Sequence, residues 1–255
     1  MTAAPPKADP VAVWEPPEGF DEEAFLKAHW PGWEFSSNRL AAFRREVQHF
    51  NERIGRPRTD AYQGGVRLKI YVPQFLVFED DWDRCLGDVV DVPAVRRLVA
   101  DLRASHDVIV KQYSAIPEAH LSDASSRVLA SGRLWVEAFP TSLPRLQALL
   151  KKHSDCLLPN DHGSNGSISI LRAGAVSKVH TGQFNVRLRL HYPLVVPPSG
   201  PELAGAERSY GNAWSKGVFL IDDAQLHAVR NTAREGDRSI VLCDIRRTDL
   251  PVLSQ

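Results

Sequence analysis

The second half of the chain constrains the fold most. After residue 160, short apolar or alternating segments recur at 167–172 (SISILR), 186–195 (VRLRLHYPLV), 217–221 (GVFLI) and 239–245 (SIVLCDI), with Gly, Pro, Asn and Asp between them. Segments of that length and patterning are strands, and closely spaced short strands build a sandwich or barrel. The first half reads differently. Leu40, Phe43, Val47 and Phe50 recur at helical spacing within 20–54, a stretch broken by Pro31-Gly32. A second helix is predicted over Pro93 to Tyr113, with Val95, Leu98, Val99, Leu102 and Ile109 on one face and Pro93 near its first turn. A third, Leu143 to Lys152, turns Leu146, Leu149 and Leu150 inward, with Thr141 or Ser142 as its cap. Residues 66–78 alternate as an early strand, with Pro73 pushing part of it to an edge or bulge. Helices first and strands afterwards favour an α+β, mainly β, protein with helices segregated to one side of an antiparallel sheet.

Length and charge narrow the function classes. The chain has 255 residues, enough for one large domain or two small ones. Five prolines before residue 18 make 1–19 a flexible arm. Residues 20–66 are expected to form a helical extension packed on the core, and 67–250 the β domain. Lys plus Arg and Asp plus Glu are 31 each, so nothing in the overall charge points to nucleic acid or to an anionic membrane. No run approaches membrane-spanning length and the first twenty residues lack a signal peptide's apolar core, so a cytoplasmic location is expected. Cys85, Cys156 and Cys243 are odd in number and far apart, which suggests reduced core thiols.

One strand carries most of the chemistry. In 186–195, alternation sets Val186, Leu188, Leu190 and Tyr192 on one face and Arg187, Arg189 and His191 on the other. The cationic face is either a solvated sheet exterior or a barrel interior that recognises an anion, since Arg matches a carboxylate bidentately. His180 precedes a Thr181-Gly182 turn into this strand, and His227 closes FLIDDAQLH after another strand. Two such histidines on adjacent barrel strands are a candidate iron pair, because imidazole suits Fe, Zn and Cu. Ser169 and Arg238 each stand on a strand, and a hydroxyl and a guanidinium converging inside a barrel would seat a carboxylate.

These residues lie in stretches that resemble a known family. HTGQFNVRLRLHYPLVVP at 180–197, WSKGVFLIDDAQLHAVRN at 214–231 and RSIVLCDIRR at 238–247 are similar to the aspartyl/asparaginyl β-hydroxylases, with weaker echoes at 70–75, 92–102 and 139–150. The resemblance implies a double-stranded β-helix, a jelly-roll or cupin-like barrel with flanking helices. It also implies an Fe(II)- and 2-oxoglutarate-dependent dioxygenase that uses O2. It makes His180 and His227 the catalytic iron ligands, and Gly182 stands where the wider superfamily has a ligand carboxylate. Ser169 and Arg238 match the residues that hold the distal carboxylate of 2-oxoglutarate, and Arg189 and His191 those near its other carboxylate. The loop from 228 to 237 is about one residue longer than expected, which makes Arg234 a second candidate for the Arg238 role. Asp222 and Asp223 match a pair usual in the family and are read as structural. Arg187 is assigned to contact with an acidic substrate.

The expected activity is hydroxylation of an unactivated carbon: the β-carbon of an Asp- or Asn-like unit or of another carboxylate-bearing small molecule. The substrate is expected to be free or carrier-bound, in a tailoring step of bacterial natural-product or amino-acid metabolism. The alternatives are desaturation, epimerisation or cleavage by the same cofactors, and a non-catalytic carboxylate-binding barrel. Oligomeric state is not legible in the sequence.

Overall fold

The computed structural model describes residues 10–11, 67–68, 76–124, 134–158, 166–177, 187–205, 209–222 and 227–248. His180, Asp223, most of the expected arm and helical extension, and 69–75 of the early strand lie outside these. Strand β1 (Pro10–Val11) pairs with β2 (Arg67–Leu68). A seven-stranded antiparallel sheet contains β3 (Leu76–Phe78), β4 (Ser122–Asp123), β5 (Trp135–Ala138), β6 (Gly166–Leu171), β7 (Arg187–Val195), β10 (Phe219–Ile221) and β12 (Arg238–Arg246), in the order β3-β10-β7-β12-β6-β5-β4. A smaller sheet has the order β11-β8-β9, from His227–Asn231, Pro201–Gly205 and Ser209–Gly211. On the outer edge of β11, Val176 bridges Arg230 and the Ser177 N–H donates to the Val229 carbonyl at 2.8 Å.

The chain from β6 onward alternates between the two sheets. β6 lies in the large sheet, 175–177 in the small one, β7 in the large, β8 and β9 in the small, β10 in the large, β11 in the small and β12 in the large. That path is a double-stranded β-helix flanked by helices. Antiparallel closure of this kind leaves few bare edges.

Both faces of the large sheet are covered, and this decides the orientation of β7. On one side lie α1 (Trp82–Leu86), α2 (Val92–Ala104), α3 (His106–Ser114) and α4 (Pro144–Lys152). Leu188, Leu190 and Tyr192 share an apolar core with Val95, Leu98, Val99 and Leu102. Each such buried side chain contributes on the order of 2 kcal/mol. On the other side the small sheet closes over a second core, which joins Leu171, Phe219, Ile240 and Leu242 to Leu203 and Val229. Arg187, Arg189 and His191 face this second layer. The solvated-exterior alternative is therefore excluded: Arg187 is 9% and His191 7% exposed.

Two helix expectations need correction. The predicted 93–113 helix is two helices, because Ser105 (φ −112°, ψ 3°) interrupts the helical path between α2 and α3. Its buried hydroxyl accepts from Arg145 Nε on α4 at 2.8 Å. The bend lets α3 follow the sheet and brings Tyr113 Oη within 2.8 Å of Ser239 Oγ on β12. At α4 neither Thr141 nor Ser142 caps; they form a 3-10 turn with Pro140, and Pro144 opens the helix where no N–H is needed. The three cysteines are free thiols, with Cys156 and Cys243 buried.

Candidate active site

The hairpin between β11 and β12 places the first functional side chain. Asn231 is fully buried; its Nδ2 donates to the carbonyls of Leu171 (3.1 Å) and Gly236 (3.0 Å), and its Oδ1 accepts from Ala233 N–H (3.2 Å). Gly236 takes a positive φ of 93°, a conformation that costs glycine little, and Asp237 then pairs with Arg172 at 2.6 Å. The hairpin residues 232 and 234–236 are exposed, Arg234 among them, while Arg238 turns inward at 1% exposure. Of the two arginines, Arg238 is the one that lines the cavity described below.

Arg238 sits in a polar niche that leaves its charge uncompensated. Its Nη2 donates to Ser169 Oγ at 2.9 Å, and Trp135 Nε1 donates to the same oxygen at 2.8 Å. The guanidinium carbon lies 4.6 Å from the Trp214 ring centre, a cation–π contact. Among the described residues its buried Nε has no hydrogen-bond partner and no carboxylate pairs with the group. Burial pushes its pKa down to about 9. Buried guanidinium groups are ordinarily paired, so this one calls for an anion.

His191 and Arg189 approach from β7. The Trp214 N–H donates to His191 Nδ1 at 3.0 Å, and the imidazole stacks on Phe219 at 4.8 Å between ring centres. Asp244 on β12 lies between two arginines: Arg189 Nε donates to its Oδ1 at 3.0 Å and Arg187 Nη1 to its Oδ2 at 2.5 Å. Arg187 is thus tied to Asp244 and is not among the described residues that line the cavity.

His227 opens β11 opposite Gly205 of β8 and is 8% exposed. With Ser169, Arg189, His191 and Arg238 it forms the polar lining of an open-mouthed cavity; Leu203, Val229, Ile240 and Leu242 supply an aliphatic wall. The structure therefore brings together, in one cavity, every predicted site residue except Arg187 and His180, the latter lying outside the described residues. Among the described residues no cluster of three His, Cys, Asp or Glu side chains could hold a metal. Asp222 is buried at the end of β10. Trp135 and Trp214 belong to the site although no sequence pattern singles them out. Their signal is general: a buried indole N–H needs an acceptor, so a Trp on a barrel strand or turn points towards a polar site.

Comparison with known proteins gives three findings. Residues 99–248 match the family model described as Aspartyl/Asparaginyl beta-hydroxylase. The Homo sapiens "Aspartate beta-hydroxylase domain-containing protein 2" is 33% identical over 105 residues, covering 40% of this chain and 27% of that protein. The Mus musculus protein of the same name is 32% identical over 105 residues, 40% of this chain and 29% of its own length. The chain thus spans under a third of these relatives. A Pseudomonas putida prolyl-4-hydroxylase crystal structure aligns with a TM-score of 0.30 at 11% identity, over 61% of this chain and 86% of that one.

Proposed function

The chain belongs to the aspartyl/asparaginyl β-hydroxylase family, whose members are 2-oxoglutarate-dependent dioxygenases, and from that premise we propose that it is an Fe(II)- and 2-oxoglutarate-dependent hydroxylase of a carboxylate-bearing small molecule. One observation carries the reading: Arg238, 1% exposed, lines the cavity with its Nε unpartnered and no carboxylate beside it among the described residues. A dianionic 2-oxo acid fits that charge, with Ser169 and Arg238 taking its distal carboxylate. His191 and Arg189 lie on the same wall for its other end. His227, with His180 from the sequence motif, would hold the iron, for which imidazole is a suitable donor. When bound, the metal would activate O2, with 2-oxoglutarate supplying two electrons as it passes to succinate and CO2 and the substrate the other two, so that one oxygen atom enters succinate and one the hydroxylated product.

The protein's own residues orient and enclose. Asp244 fixes Arg189 through its Nε. The aliphatic wall of Leu203, Val229, Ile240 and Leu242 limits water around the reacting carbon. The proposed substrate is acidic, free or carrier-bound; Arg187, tied to Asp244 outside the cavity lining, would bear on it through Asp244 and Arg189. A cytoplasmic tailoring reaction without nucleic acid or membrane is the proposed setting. The balanced charge supports it.

The test is an anaerobic titration. Fe(II) followed by 2-oxoglutarate is expected to give a visible charge-transfer band that His180→Ala and His227→Ala each abolish. In air, the wild type is expected to release succinate. A folded wild-type protein that gives neither band nor succinate overturns the proposal. Tight 2-oxoglutarate binding without either would leave a carboxylate-binding barrel.

A further inference from the structure

Trp214 is 1% exposed and does not line the cavity, yet it touches two groups that do. Its N–H donates to His191 Nδ1 at 3.0 Å, and its ring centre lies 4.6 Å from the Arg238 guanidinium carbon. An indole nitrogen is a donor only, so His191 Nδ1 must offer a lone pair. An imidazolium carries hydrogen on both nitrogens and could not accept that bond. A neutral ring that accepts at Nδ1 carries its proton on Nε2. The indole therefore selects, among three protonation forms of His191, the neutral one whose other nitrogen is a donor.

The second contact acts on Arg238. The π face of an indole attracts a guanidinium laid over it, most strongly where water is excluded. With Ser169 holding Nη2 and Trp214 beneath the plane, the guanidinium is fixed before any anion arrives. Trp214 itself is anchored by its turn, Ala213–Lys216. Asn212 caps that turn through Ser215 N–H at 3.3 Å and donates to the Pro197 carbonyl at 2.9 Å, just beyond the end of β7.

We propose that Trp214 is a positioning residue of the anion pocket: one indole sets the Nε2–H tautomer of His191 with its edge and the guanidinium plane of Arg238 with its face. The proposal rests on the 2-oxoglutarate reading for the identity of the anion, but the tautomer does not.

The experiment uses Trp214→Phe, which keeps a six-membered aromatic ring and removes the N–H together with the rest of the pyrrole ring. Nitrogen-15 NMR of histidine side chains in the metal-free protein, with His191→Ala to identify the signal, is expected to show a neutral Nε2–H ring in the wild type. In Trp214→Phe that population should give way to a mixture of forms. Calorimetry with Mn(II)-loaded protein should show 2-oxoglutarate binding weakened roughly 10-fold by Trp214→Phe, the scale of one hydrogen bond to a charged group. In a His191→Ala background the same change should alter affinity less than about twofold. A wild-type His191 that is Nδ1-protonated or cationic overturns the proposal without any substitution. So does an undiminished effect of Trp214→Phe in the His191→Ala background. If the wild type binds no 2-oxoglutarate, the functional reading falls, and the tautomer still decides the role of Trp214.

Discussion

Replacing Arg238 with Met separates stability from function in a way that the structure quantifies. The pKa of Arg238 falls to about 9 through burial. At about 1.4 kcal/mol per pH unit, that drop corresponds to a desolvation cost on the order of 5 kcal/mol. Two contacts offset it: the hydrogen bond to Ser169, about 1.5 kcal/mol for a bond from a charged group, and the cation–π contact with Trp214, about 2 kcal/mol where desolvated. The ligand-free protein is left with a desolvation cost of roughly 1.5 kcal/mol at this residue. Met fills similar space without a charge, and Ser169 keeps its hydrogen bond from Trp135. Arg238→Met should therefore melt about 3 to 6 °C above the wild type in the absence of ligand, on the scale for a chain of this size. In exchange it should lose one or two charge-assisted hydrogen bonds to the anion, weakening 2-oxoglutarate by roughly 10²-fold or more. Thermal melts with and without 2-oxoglutarate read both effects: a ligand-induced rise in Tm for the wild type, and none for the variant. An Arg238→Met protein that melts several degrees below the wild type without ligand would refute the reasoning, since it would mean that the native protein already satisfies the guanidinium.

Two further outcomes follow from charge and burial. Asp244→Asn removes the carboxylate shared by Arg187 and Arg189, both largely buried, and should cost about 2 to 3 kcal/mol in a urea titration. An unchanged midpoint would show that the two arginines find other partners. Burial pushes the Cys156 thiol up to about 11 and Cys243 higher still, so both remain protonated at pH 8 while half-buried Cys85 is the accessible thiol. Alkylation at pH 8 should label Cys85 first. Because the folded pKa of Cys156 lies above its unfolded value, its contribution to stability is intact below about pH 9 and lost as pH rises through 11. The alkaline limb of a stability profile should accordingly flatten in Cys156→Ala relative to the remainder of its curve.

Hydrophobic periodicity by itself makes much of this protein legible. Leu188, Leu190 and Tyr192 share one side of β7 and Arg187, Arg189 and His191 the other, as the period of two requires. Val95, Leu98, Val99 and Leu102 face the sheet, and the four helices lie on one side of it, ahead of β6 in the chain but interleaved with β3, β4 and β5. Local pattern also marks Ser169 and Arg238 as residues on strands, whereas His227, read as following a strand, opens β11. The break at Ser105 escapes it, because that break depends on Arg145, forty residues away on another helix.

Periodicity leaves open which covered layer each face meets. An alternating strand specifies two faces, but it carries no information about what packs on either one; that is set by pairings between residues distant in the chain. Only the closure of β8 and β11 over β7 and β12 turns the arginine face inward. Only the Asn231 hairpin separates buried Arg238 from exposed Arg234. The two indoles that complete the anion pocket, Trp135 against Ser169 and Trp214 against His191 and Arg238, reach their partners across 34, 23 and 24 positions of sequence, so the third dimension alone could bring them together.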